Sequence, residues 1–282
     1  MRPAQDPDPP QGDPGRSVLG ERLARGLAEV RARITAAARA TGRSASPPTL
    51  LPVTKSVDAA TTAALAALLR DAPAECAENR AQDLEHKAAA LAAAGVAVRW
   101  HFIGHIQRNK ARRIVRSADV VHSVDSLRLA ETLADAAEAE GKVLDVYVQV
   151  DFTGEPTKSG LDADGAYEVL RFVAGSSSLR PLGLMAMGPR EERPGATTPE
   201  VFARVAALAG TIEADPNMAG VFAGGRVGLS LGMSGDLEDA VAAGSTLLRI
   251  GSDLFQYIRD TTAANAAHTE GPSDPPQGDH GA

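Results

Sequence analysis

Lysine is scarce in this chain. Of 29 basic residues only five are lysines, at positions 55, 87, 110, 142 and 158. Four of them stand among polar or charged neighbours. Lys55 instead ends an apolar run, Leu50-Leu51-Pro52-Val53-Thr54-Lys55-Ser56, which reads as a buried strand. An amine at such a strand end is expected to be partly desolvated, and desolvation favours the neutral, nucleophilic form. A neutral amine attacks a carbonyl and forms a Schiff base. The competing reading is a side chain that snorkels from a sheet rim.

Complementary chemistry lies far along the chain. Gly228-Leu229-Ser230-Leu231-Gly232-Met233-Ser234-Gly235 follows an apolar segment and opens a helical one. Its glycines let backbone N–H groups approach an anion, its serines add hydroxyl donors, and a helix N-terminus would add partial positive charge. Asp236, Glu238 and Asp239 oppose this, because they place negative charge on the same turn. Arg249-Ile250-Gly251-Ser252 supplies a second Gly/Ser turn and a cationic clamp. The spacing matches neither GxGxxG nor GxxxxGK[ST], so no dinucleotide fingerprint or P-loop is read here. A Schiff-base lysine and a phosphate seat together call for a ligand with an aldehyde and a phosphate. Pyridoxal 5′-phosphate (PLP) fits that description.

The elements that must position these groups alternate regularly. Apolar strand-like segments fall at 50–54, 75–78, 98–104, 120–124, 144–150, 179–187, 227–231 and 247–251. Helical patterns follow them, and a further helix at 17–41, capped by Ser17, precedes the first strand. Short, continuously apolar strands suit a parallel sheet covered on both faces. Eight strand–helix units predict an α/β fold, a closed (β/α)8 barrel with an extra N-terminal helix. A doubly wound open sheet is the rival. In a barrel the loops after the strands share one face, and phosphate seats commonly use those after strands seven and eight. Lys55 and both Gly/Ser turns would then converge. The domain is read as residues 17–260, with Pro/Asp/Gly-rich disordered tails at 1–16 and 261–282.

The totals exclude several classes. A net charge of −7 argues against a nucleic-acid surface. A single cysteine, Cys76, forms no intrachain disulfide and suits a reducing compartment. No apolar run approaches the ~20 residues needed to span a bilayer. The expectation is a soluble, cytoplasmic protein with no membrane or nucleic-acid partner. His105, His122 and Cys76 lack metal-ligand spacing, so no metal is expected.

As a set, these motifs resemble those of the YggS/PROSC-type pyridoxal phosphate homeostasis proteins, from about Val18 to Phe255. Val53-Thr54-Lys55-Ser56 looks like that family's cofactor-lysine strand, and Ala77-Glu78-Asn79-Arg80-Ala81-Gln82 is similar to its Gly-Glu-Asn motif. Trp100-His101-Phe102-Ile103-Gly104 with Gln107, Asn109 and Lys110 resembles a further signature. So do Lys158-Ser159-Gly160, Gly183-Leu184-Met185, Ser230–Ser234 with Asp236, and Arg249-Ile250-Gly251. Ala77 replaces the usual glycine, Arg80 the usual aromatic, and Gln256 follows Phe255 where glycine is common.

The resemblance implies an alanine-racemase-like barrel without the racemase's second domain. It implies PLP on Lys55, Asn79 near the cofactor, and phosphate held around Ser230, Gly232, Met233, Ser234, Arg249, Gly251 and Ser252. The implied role is non-catalytic: holding and delivering PLP in vitamin B6 homeostasis and amino-acid balance, with transient contact with PLP-dependent apo-enzymes. Lacking the dimerising domain, the chain is expected to be a monomer.

The alternative is a PLP-dependent racemase or decarboxylase. A racemase needs acid–base groups on both faces of its substrate carbanion. Of the three tyrosines, Tyr147 falls mid-strand and Tyr167 on a helix, which leaves Tyr257 as the remaining candidate. A phosphosugar enzyme using Lys55 would keep the same site for another ligand. Of the remaining residues, His101 is either near the cofactor or a core histidine. Cys76, Met185 and Met187 are expected to pack. Lys158 is expected on a surface loop, and residues 109–113 on a solvated helix face.

Overall fold

The computed structural model describes residues 14–69, 73–156 and 158–258. Eight strands, β1 (Thr49–Pro52), β2 (Ala74–Glu78), β3 (Val98–Phe102), β4 (Val120–Val124), β5 (Leu144–Gln149), β6 (Leu179–Met185), β7 (Gly228–Ser230) and β8 (Leu247–Ile250), alternate with helices. All pairings are parallel, in the order β1-β8-β7-β6-β5-β4-β3-β2. The two ends of that order meet through the bridge Val53↔Ala77, which closes the barrel. The expected (β/α)8 architecture is therefore found, and the open sheet is not.

The helices are α1 (Pro14–Ala40), α2 (Ala59–Leu68), α3 (Ala81–Ala93), α4 (Ala111–Ser117), α5 (Leu127–Ala139), α6 (Ala163–Gly175), α7 (Thr198–Ala214) and α8 (Leu237–Ala242). Local chemistry starts and stops several of them. The Ser126 hydroxyl accepts from Leu129 N–H to cap α5, which gives way to Gly141 at φ 64°. Thr197 and Glu200 form a reciprocal capping box on α7. Helix α1 starts at Pro14, ahead of the expected cap Ser17, since proline suits a first helical position. Residues 14–16 of the expected N-terminal tail are thus helical. The rest of that tail and the tail at 261–282 lie outside the described residues.

Helix α1 is less an addition than a replacement. Helices α2 to α8 each follow one of β1 to β7, whereas β8 leads into turns and only reaches helical geometry at 256–258. Helix α1 packs against both α2 and α8 and so fills the outer-layer place between them. Its buried stripe, Leu23, Leu27, Val30 and Ile34, joins the main core between helices and barrel wall.

The barrel interior is different. Small apolar groups, Leu51, Val53, Ala77 and Leu247 on one side and Val120, Tyr147 and Met185 on the other, flank a polar column. His101, His122, Ser230 and Arg249 are buried along it. Glu75, Arg99, Asp145 and Arg180 form ion pairs at the strands' N-terminal end. Beside them lies a depression of about 930 Å³ whose charged lining residues are paired with one another or with neighbours.

The closing seam carries a buried ion pair. Lys87 Nζ stands 2.5 Å from Glu78 Oε1 and donates to the Thr54 carbonyl at 2.7 Å. The Thr54 hydroxyl donates to the same Glu78 oxygen at 2.6 Å, and Thr54 N–H to Ala77 O at 2.9 Å. Lys87, expected in polar surroundings, is instead almost wholly buried beneath α3.

Two consequences are measurable. Lys87→Met strands a buried carboxylate and should lower stability by about 3–5 kcal/mol in denaturant unfolding, whereas Lys87→Met with Glu78→Leu should recover most of it. Glu75 is held down to about 2 from 4.5, first by His101 and then by Arg99. A depressed carboxylate stabilises the fold above its unfolded value, and that stability is lost as pH falls. Stability measured from pH 4.5 down to about 2 should therefore fall less steeply in Glu75→Gln.

Candidate functional site

At the C-terminal ends of the strands, a cavity of about 310 Å³ opens between β1 and the loops after β7 and β8. Val53, Lys55 and Ile103 line one side, Met233, Ser234 and Gly235 another, and Arg249, Gly251 and Ser252 the rest. Of the expected site residues, Lys55, Met233, Ser234, Arg249, Gly251 and Ser252 come together. Ser230, Gly232 and Asn79 do not line this cavity.

Alternation along β1 explains Lys55. Leu51 and Val53 point into the barrel, so Lys55, two residues on, follows the same face to the mouth. It is exposed, and the partial burial expected of it is not found. The strand ends at Pro52, so Lys55 stands beyond its shelter.

Arg249 is the opposite case. It is buried on β8 at the cavity floor. Its guanidinium donates to the Ser230 carbonyl at 2.5 Å, the Ser230 hydroxyl at 2.7 Å and the Ala186 carbonyl at 3.0 Å. It makes no ion pair with a carboxylate among the described residues. Burial pulls it down to about 10, which leaves it charged at neutral pH. The charge of Asp236 opposes this shift without pairing with the guanidinium, and an anion in the adjoining cavity would offset more of the cost of the buried cation.

Ser230 was expected as a phosphate donor. Its hydroxyl instead lies inside the barrel, between Arg249 and His122. Gly232 is also structural. At φ 89°, a Cβ on it would fall 2.4 Å from Ala240 Cβ and 2.7 Å from Leu248 Cδ2, so it lets α8 close onto β8. Gly251 lets the β8 end pass β1, since its Cβ would stand 3.1 Å from Val53 O.

The acidic turn that argued against a phosphate seat is largely used within the fold. Asp236 Oδ1 accepts from Met233 N–H at 2.5 Å, and Glu238 pairs with Arg33 at 2.9 Å. Helix α8 has only six residues, so it offers little dipole. Arg33 of α1 also donates to the Ser234 carbonyl at 3.3 Å and pairs with Asp253, which ties both Gly/Ser loops to α1. No sequence signal distinguished Arg33 from the other arginines on the polar face of α1.

Other residues settle elsewhere. Asn79 lines a separate depression of about 440 Å³ with Arg80, His105, Gln107 and Lys110. His101 is a core histidine. Lys158 is not a free surface lysine, because its Nζ donates to Gly188 O at 2.6 Å and pairs with Glu155. Met185 and Cys76 pack as expected, but Met187 is exposed because β6 stops at Met185. Tyr147 stacks on His122, and Tyr257 donates to Glu29 of α1, with Arg25 over its ring. Neither tyrosine lines the Lys55 cavity, and neither does Tyr167. Within the cluster at 109–113, Arg112 and Arg113 pair with Glu140 and Glu85. Among the described residues, no helix is long and apolar enough to cross a membrane.

The loop geometry predicts that Gly232→Ala, which adds a Cβ at positive φ against Ala240 and Leu248, lowers stability by about 1–3 kcal/mol in denaturant unfolding.

Comparison with known proteins agrees with this architecture. Residues 27–258 match the family described as alanine racemase, N-terminal domain. A pyridoxal phosphate homeostasis protein of Escherichia coli is 37% identical over 83% of this chain and 95% of its own length. One from Pseudomonas aeruginosa is 40% identical over 83% and 94%. The structure of PipY of Synechococcus elongatus with PLP bound superposes with a TM-score of 0.67 and 29% identity, covering 83% of this chain and 99% of that one. With the motifs around Lys55, Ser234 and Arg249 in these positions, this chain belongs to the pyridoxal phosphate homeostasis protein family.

Proposed function

We propose that this chain binds pyridoxal 5′-phosphate through Lys55 and acts in intracellular PLP homeostasis, holding and releasing the cofactor without transforming a substrate. The observation that carries this reading is the buried Arg249, which pairs with no carboxylate among the described residues, in one cavity with an exposed lysine. The residues present fit the cofactor. Arg249 supplies the positive charge that an anionic ligand requires. Ser234, Gly251 and Ser252 offer hydroxyl and backbone groups for a phosphate, and Val53 and Ile103 an apolar wall for a ring. The relatives' name and the PLP bound to PipY support the same ligand.

When bound, the cofactor supplies an aldehyde that links covalently to an amine. This chain's part is to place the Lys55 amine at the mouth and to hold the anionic end. Asp236, by fixing Met233 N–H, and Arg33, by fixing Ser234 and Asp253, preset the two loops. Asn79 belongs to the proposed set only through the resemblance, since it lines a separate depression.

The carrier reading rests on what lines the cavity. Apart from Lys55 and Arg249, its lining contains no ionisable side chain. A racemase needs a second acid–base group, and no tyrosine lines this cavity. The exposed position of Lys55 suits exchange with other proteins' active sites. Transient contact with apo-enzymes, a monomeric state and a cytoplasmic location belong to this proposal.

Addition of PLP to the pure protein should produce a visible absorption band. Borohydride should then fix the cofactor to the Lys55 peptide, and Lys55→Ala should show neither. An equal band in Lys55→Ala would reject Lys55 as the attachment point. Steady racemisation of amino acids by the wild type, lost in Lys55→Ala, would reject the carrier role.

A further inference from the structure

A line of hydrogen bonds runs down the barrel from the cavity floor. Arg249 Nη1 donates to Ser230 Oγ at 2.7 Å. Ser230 Oγ lies 2.9 Å from His122 Nδ1, and His122 Nε2 lies 2.9 Å from His101 Nδ1. Beyond these hydrogen bonds, His101 Nε2, which makes none among the described residues, faces Glu75 Oε2 at 3.7 Å. Ser230, His122, His101 and Arg249 are all buried. The function proposed above uses neither histidine.

The chemistry of the two ends gives this line a direction. A guanidinium only donates, and a carboxylate only accepts. Ser230 Oγ accepts from Arg249 and has one proton to give, for which His122 Nδ1 is the neighbour in place. That makes His122 Nδ1 bare and puts its proton on Nε2, from which it donates to His101 Nδ1. His101 then carries its own proton on Nε2, towards Glu75. The opposite direction would leave the Ser230 proton without an acceptor among the described residues. It would also require either a bare His101 Nε2 turned towards a carboxylate or a second buried cation at His101. Each fault is expensive in a buried network.

Two further observations fit. Burial above all, helped by the charges of Arg249 and Arg99, holds His122 well below its ordinary 6.5. Tyr147 stacks on His122 with ring centroids 4.6 Å apart, which restrains the ring from turning over.

We propose that His122 and His101 are positioning residues of the Lys55 cavity: as neutral Nε2–H tautomers they fix the Ser230 hydroxyl and, through it, the orientation of Arg249. The effect on cofactor binding rests on the function proposed above. The tautomers are a property of the free protein and are tested without it.

The first measurement is a long-range ¹H–¹⁵N correlation on the full-length, ¹⁵N-labelled protein at neutral pH with no PLP added. Both histidines should give neutral Nε2–H patterns, and the His122 pattern should become a tautomer mixture in Ser230→Ala. A charged ring or an Nδ1–H tautomer at either position overturns the proposal.

The second measurement is PLP titration. His122→Leu should weaken binding about tenfold, the loss expected when one hydrogen bond to a charged group is removed. Borohydride should still label Lys55 at saturation. His122→Asn, which keeps an acceptor near the Nδ1 position, should bind within about twofold of wild type, and it remains informative if His122→Leu fails to fold. Wild-type affinity in His122→Leu, or no rescue by His122→Asn, overturns the proposal. A wild type that binds no PLP overturns the cofactor reading instead, while the NMR result still decides the tautomers.

Discussion

Closure of the barrel between β1 and β2 is the constraint on which the site depends. These strands meet at a single bridge, Val53↔Ala77, at the level where the chain turns out to Lys55. A long ladder would have held them by backbone hydrogen bonds alone. Here the Lys87–Glu78 pair and the Thr54 hydroxyl complete the join from outside the wall. The Thr54 carbonyl, one peptide before Lys55, is thereby pinned by a buried ammonium. An exposed lysine can thus be mobile at its tip and fixed at its root.

The electrostatic design of the mouth follows a similar division. Positive charge is buried and fixed at Arg249, while negative charge near the loops is spent on Met233 N–H and Arg33. Asp236 and Glu238 keep their charge, but each is held on a partner of its own, and Asp236 acts on Arg249 as well. The floor is held by Ser230 and Ala186 oxygens, which satisfy the guanidinium's hydrogen bonds without cancelling its charge. The site is therefore poised for an anion before any arrives, which is the condition for tight binding at low reorganisation cost.

Much of this was legible in the sequence. Alternating apolar segments and helical periods predicted eight units in their observed order. Strand ends then located Lys55 and the two Gly/Ser loops at one face. What stayed hidden depended on direction and depth. Ser230 and Ser234 look alike in a Gly/Ser run, yet one residue ends a strand facing inward and the other stands in a loop. Lys55 and Lys87 were ranked the wrong way round for burial, because a lysine within a helix gives no sign that a glutamate waits across the interface. The interior of this barrel carries a polar column drawn from β3, β4, β7 and β8, so His101 and His122 sit where an apolar pattern was expected. Arg33 acts on loops some 200 residues away, and local spacing carries no trace of that.

That last separation bears on how the protein comes into being on the ribosome. Helix α1 is made first, but its packing partner α8, the carbonyl and carboxylates that receive Arg33, and the Leu254 backbone that crosses Gly26 are made last. The outer layer cannot be completed while the final strand is still in the exit tunnel, and contacts of such sequence separation form slowly. The amphipathic helix α1 must therefore wait, with part of its apolar stripe uncovered, until α8 and β8 have emerged. The Lys55 cavity, whose walls include the loops after β7 and β8, therefore takes shape only once these late elements have joined the earliest helix.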